Sequence, residues 1–157
     1  MKVGLAGFDL ADPTDRAVAR NLSAALRRRG HRVVVSGCGA PEATADVWHL
    51  HQFGRDARGF IAAAERGRWR VATTLHLVLP DYLPFAGGAP TLRRLANLGP
   101  LAAVCDSQRR SIRDLGVRAR VVRSYGPSLV VPADRPSPRP PTALCAARLA
   151  PYKGGDV

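Results

Sequence analysis

The chain is poor in lysine, aromatics and cysteine, and it has no apolar run long enough to cross a membrane. Of 24 basic residues only Lys2 and Lys153 are lysine, so the net charge of +12 is carried almost wholly by arginine. Such a surface attracts phosphates, nucleic acid or anionic lipid headgroups. Aromatic residues are few, and none interleaves the arginine clusters at 27–29, 93–94 and 109–110. A platform for single-stranded nucleic acid requires that interleaving. Net charge alone speaks for nucleic acid, and the clusters also read as solvated outer faces of helices. Cys38, Cys105 and Cys145 are odd in number, far apart, and each lies in or beside an apolar run. Buried free thiols in a reducing cytoplasm are therefore expected, rather than a disulfide scaffold or a zinc site. The apolar start of the chain meets Asp9 and Asp12 too soon for a secretory signal, and no later run approaches a membrane span.

Three catalytic signatures are also missing. Gly4 and Gly7 follow the first apolar segment, but Gly-x-Gly-x-x-Gly does not occur, which disfavours a nicotinamide or flavin enzyme. Neither the Gly-x-Ser-x-Gly elbow of hydrolases nor a Gly-x-x-x-x-Gly-Lys-Ser/Thr phosphate loop is found. No internal repeat is apparent.

What remains is a regular alternation. With 157 residues, 46% of them hydrophobic, the chain is long enough for one domain with a sizeable core. Residues 2–7 form a short apolar strand. Asp12-Pro13-Thr14-Asp15 is a helix-start signal, Val18, Leu22, Ala25 and Leu26 repeat at helical spacing, and Gly30 stops the helix. Residues 32–36 are apolar without alternation, as in a strand covered on both faces. Further strands are predicted at 46–51, 70–75, 101–105 and 118–123. Helices are predicted over 56–66, from about Leu92, and from a cap at Asp106-Ser107 to Gly116. Strand and helix in this order predict an α/β domain with a doubly wound parallel sheet over residues 1–126. Residues 76–90, with three prolines and two glycines, read either as a closing loop or as an irregular connection. Six prolines between 127 and 141 predict a stiff linker, and residues 142–157 read as the first strand and turn of a second domain.

In an open parallel sheet, ligands bind beyond the carboxyl ends of the strands. The segments 7–12, 49–53, 76–82, 106–107 and 124–126 would line that edge. His49 and His51 are two apart and face one side of a strand, and His76 ends the next strand in sequence. Three histidines are a conceivable metal set, but without an acidic ligand nearby no metal is expected. A packed histidine beside one that hydrogen-bonds a ligand is the commoner arrangement, and His31, after Gly30, is read as structural. Asp9, Asp12 and Asp81 could act as bases, though a lone loop carboxylate is usually a cap or turn residue.

Several segments together resemble the N-terminal half of a family 4 glycosyltransferase of the two-domain GT-B fold. They are Met-Lys-Val-Gly-Leu at the start, Leu-Arg-Arg-Arg-Gly30-His31-Arg-Val-Val-Val, Asp46-Val-Trp-His-Leu-His51, Val71-Ala-Thr-Thr-Leu-His76 and Cys105-Asp-Ser-Gln. The most specific is Ala147-Arg148-Leu149-Ala150-Pro151-Tyr152-Lys153-Gly154, similar to the family's Gly-Arg-Leu-x-x-x-Lys-Gly. The resemblance implies sugar transfer from a nucleotide-sugar to an acceptor held mainly by this domain, usually with retention and without a bound metal or other cofactor. It implies that His76 lies near the sugar as the catalytic-site residue, and that Arg148 and Lys153 hold the donor diphosphate. Gly7, Phe8, Asp9 and His51 would then border the acceptor. The loop 8–12 departs from the family in lacking paired glycines. The family's nucleotide pocket and acidic glutamates would fall after Val157, so a C-terminal GT-B domain in cis or in trans is expected, with little activity from this chain alone. A cytoplasmic protein is expected, peripheral to anionic membrane if the acceptor is a lipid. The alternative is a non-catalytic binding module, or a degenerate fragment, on the same fold.

Overall fold

A computed structural model of the protein describes residues 1–37, 39–41, 44–52, 57–76 and 88–122. All of these fall in a unit that ends at Ser124. The expected linker 127–141, the strand and turn at 142–157, most of the connection 76–90, Cys38 and Cys145 lie outside the described residues.

Six strands form one sheet: β1 (Lys2–Ala6), β2 (Arg32–Val35), β3 (Val47–Gln52), β4 (Val71–Leu75), β5 (Leu101–Ala103) and β6 (Arg120–Val121). Every pairing is parallel, in the order β2-β1-β3-β4-β5-β6. The helices among the described residues are α1 (Pro13–Arg28), α2 (Arg58–Gly67), α3 (Gly88–Leu98) and α4 (Asp106–Asp114). The step from β1 to β2 runs one way along the sheet and the steps from β3 to β6 run the other. Right-handed crossovers therefore put α1 on one face and α2, α3 and α4 on the opposite face. The apolar side chains divide the same way. Val3, Leu5, Phe8 and Ala19 form a small cluster with Val18, Leu22 and Leu26 of α1, and Trp48, Leu50, Phe60, Ile61, Leu95 and Ile112 belong to the larger core. This is the doubly wound parallel fold expected from the strand–helix alternation.

Local chemistry explains most of the boundaries. The Asp12 carboxylate accepts from the Thr14 and Asp15 N–H groups at 2.7 and 3.2 Å, Pro13 opens α1, and Gly30 follows it at φ 81°. Helix α3 begins earlier than expected, at Gly88. It tolerates Pro90 because first-turn N–H groups have no partner inside the helix. The cap of α4 is Cys105, in extended backbone and without a side-chain cap bond, rather than Asp106. Asp106 sits inside the first turn, where a carboxylate favours the positive helix end, and accepts instead from Arg109 Nε at 3.1 Å. That position also leaves Cys105 exposed, correcting the expectation of a buried thiol. Strand β6 is shorter than the expected 118–123. Its neighbour β5 has only three residues, and the Val117 N–H is taken by the Ile112 carbonyl closing α4.

Trp48 anchors the larger core. It is 1% exposed, stacks on Trp69 at 5.5 Å between ring centroids and meets Phe60 edge-on at 6.0 Å. Its register partner on β1 is Gly4, where a Cβ would fall into the indole ring. Only glycine leaves room for tryptophan there.

Candidate functional site

The strand order reverses between β1 and β3, because β1 is followed by β2 on one side while β3 lies on the other. At such a switch point the loops leave in opposite directions and open a crevice beyond the carboxyl ends of the strands. Gly7 follows β1 at φ 91°, a conformation in which other residues are strained, and a Cβ there would overlap the His51 carbonyl. The Gly7 N–H donates to the Gly37 carbonyl at 3.1 Å, which ties the end of β1 to the loop after β2. Phe8 is fully buried, with its ring 4.8 Å from the imidazole of His51.

Alternation along β3 sends Trp48 and Leu50 to the larger core and leaves His49 and His51 on the face that α1 covers. Register pairs His51 with Thr74 on β4, and His76 follows that strand. Three imidazoles gather as a result. His49 and His51 centroids lie 4.2 Å apart and those of His51 and His76 lie 5.1 Å apart. His49 Nε2 is 2.8 Å from Thr74 Oγ1, and His51 Nδ1 is 2.9 Å from His76 Nε2. A single proton fits between the last two nitrogens, so the tautomer of one ring fixes that of the other.

Burial decides the charge of this cluster. It lowers His49 to about 4, with the nearby His76 adding to the effect. His51 falls to about 2, first through burial and then through His49 and His76. His76 is lowered by burial and partly restored by the carboxylate of Asp15. All three rings are therefore neutral at pH 7. They offer hydrogen-bond donors and acceptors, suited to hydroxyl and amide groups rather than to a phosphate.

The acidic residues of the first loop organise it. The Asp15 carboxylate is buried and accepts the Asp9 N–H at 2.9 Å, the Asp9 side chain accepts the Ala11 N–H at 3.0 Å, and Asp12 caps α1. Among the described residues, no set of three His, Cys, Asp or Glu side chains is arranged to hold a metal ion.

Of the residues singled out in the sequence, Gly7, Phe8, Asp9, His51 and His76 are thus brought to one edge of the sheet. Arg148 and Lys153 lie outside the described residues. Sequence reasoning passed over Thr74, Gly37 and the electrostatic role of Asp15. Thr74 becomes visible only once the β3–β4 register is known. Asp15 carries a helix-start signal that masks its second role. His31 closes α1, its N–H donating to the Leu26 carbonyl at 3.2 Å, in keeping with a structural part. Comparison with protein-family models, curated proteins and solved structures finds no match to the chain. No helix among the described residues is long and apolar enough to cross a membrane.

Proposed function

We propose that the chain is the acceptor-side domain of a glycosyltransferase, and that the crevice between β1 and β3 receives the sugar and the acceptor hydroxyl. The observation that carries this reading is the neutral His51–His76 pair at a strand-order reversal, beside a glycine that lets the end of β1 pack against the His51 carbonyl. Carbohydrate recognition calls for dense hydrogen bonding to hydroxyl groups, which both donate and accept. An imidazole without charge can both donate to and accept from hydroxyls. In the reaction, the acceptor oxygen forms a bond to the anomeric carbon, the bond from that carbon to the diphosphate breaks, and the hydroxyl proton passes to the departing diphosphate oxygen. His76 orients the sugar hydroxyls, with its tautomer set by His51.

The donor diphosphate needs fixed cations, which three neutral histidines do not supply. Arg148 and Lys153 take that role in this reading, completed by a second domain in cis or in trans. A cytoplasmic setting, peripheral to anionic membrane where the acceptor is a lipid, completes the proposal.

The test is a histidine-ring and backbone NMR titration of the chain with hexoses linked to uridine, guanosine and adenosine diphosphates, alongside the free nucleotides. Sugar-bearing ligands are expected to move the His51 and His76 rings and the Gly7–Asp9 amides, and the response should vanish in His76→Ala. Silence at these positions across the whole panel would overturn the assignment.

A further inference from the structure

The opposite edge of the sheet carries a second concave site of different chemistry. A cavity of about 400 Å³ opens at the N-terminal ends of β5 and β6. Its floor is apolar, with Leu101 and Val117 buried at 3% and 5% exposure beside Pro100 and Ala119. Its rim carries Arg109 and Arg113, one turn apart on α4, with Arg118 and Arg120 from the segment leading into β6.

Among the described residues, acidic side chains pair with only two of the four rim arginines. Asp106 holds Arg109 at 2.9 Å, and Asp114 reaches Arg113 only at 3.8 Å. Among the described residues, Arg118 and Arg120 enter no ion pair. Arg113 lies in the last turn of α4, where the negative helix end favours a cation. The Ile112 and Arg113 carbonyls there accept from the Leu115, Gly116 and Val117 N–H groups, which closes the helix. Arg118 and Arg120, with Arg113, concentrate positive charge beside an apolar floor. A guanidinium matches a phosphate through paired N–H donors. The volume lies in the range of small-ligand pockets.

We propose that this cavity binds a phosphate monoester that carries an apolar group, with the phosphate at Arg113, Arg118 and Arg120 and the apolar part on Leu101 and Val117. The ligand is either a soluble alkyl phosphate or a lipid with a terminal phosphate, and both present the same chemistry. Because the strands are parallel, this site lies at the other end of the sheet from the histidine crevice. It stands or falls independently of the glycosyl-transfer reading.

The test titrates the whole chain with hexyl phosphate, with inorganic phosphate, and with phosphatidylcholine vesicles with and without phosphatidic acid. Arg118→Gln/Arg120→Gln is compared with the charge-matched pair Arg27→Gln/Arg28→Gln, the fold of each being checked by circular dichroism. The expected result is tighter binding of hexyl phosphate than of inorganic phosphate. A loss on the order of tenfold or more is expected in the first double variant, and little change in the second. Retention on phosphatidic acid vesicles assigns a lipid source, and binding of hexyl phosphate alone assigns a soluble one. The proposal is overturned if neither probe binds, if inorganic phosphate binds as tightly as hexyl phosphate, or if both double variants lose binding equally. Displacement of hexyl phosphate by a single-stranded oligonucleotide at lower phosphate concentration would also overturn it.

Discussion

At the carboxyl ends of β1, β3 and β4, His49, His51 and His76 are drawn out of water and held without charge. At the amino ends of β5 and β6, Arg109, Arg113, Arg118 and Arg120 stay exposed. The same sheet therefore presents a neutral histidine cluster at one end and a cationic cavity at the other. The net charge of +12 describes the second and says nothing of the first. Charge counted along a chain reports the solvated surface, while burial decides what a titratable group does inside a crevice.

Both ends hang on one core, so the largest effect should come from breaking it. Trp48→Ala removes the side chain that joins β1, β3 and α2, and should destabilise the domain by about 3–5 kcal/mol in urea unfolding. Loss of both sites together is expected; a loss below about 1 kcal/mol would mean that the ends are held separately.

Acid should separate them. The folded pKa values of His49 and His51 lie below the unfolded value near 6.5, so the unfolded chain binds more protons as the pH falls. Their contribution is complete above pH 6.5 and is lost between 6.5 and about 4 for His49, and on towards about 2 for His51. Each should remove about 1.4 kcal/mol per pH unit within its window. Stability that stays flat between pH 6.5 and 4.5 would contradict the burial of these rings.

A smaller and more local effect is expected from Gly7→Ala. The positive φ alone is worth about 1–2 kcal/mol, and overlap with the His51 carbonyl adds to it. The His51 and His76 ring signals should move while amides of α4 keep their positions. The smallest effect should be that of Asp15→Asn, which can still accept the Asp9 N–H but no longer raises His76. The pKa of His76 should fall further, with phosphate binding at the far edge unchanged.

Much of this architecture is legible in the sequence. Asp12, Pro13 and Gly30 bracket α1 because caps and stops are local chemistry. The apolar strands announced a covered parallel sheet. What stayed hidden depends on pairing. Thr74 and His51 are 23 residues apart and meet only through the β3–β4 register. The strand order that sets His51 beside Gly7 is a property of the whole sheet. Short strands were overestimated for a related reason. The length of β6 is limited by its partner β5, not by its own apolar residues. The cationic cavity is not legible in the sequence either, because Arg109 and Arg113 converge with Arg118 and Arg120 only after α4 turns back.

The central claim, that the crevice works through neutral imidazoles in a fixed tautomeric chain, is tested most directly by following the three histidine rings with ¹⁵N NMR from pH 8 downwards. His49 and His51 should stay neutral below pH 5, each in a single tautomer, with His76 titrating below 6.5. A ring among them that is protonated at pH 7, or rapid exchange between tautomers in the His51–His76 pair, would contradict the account.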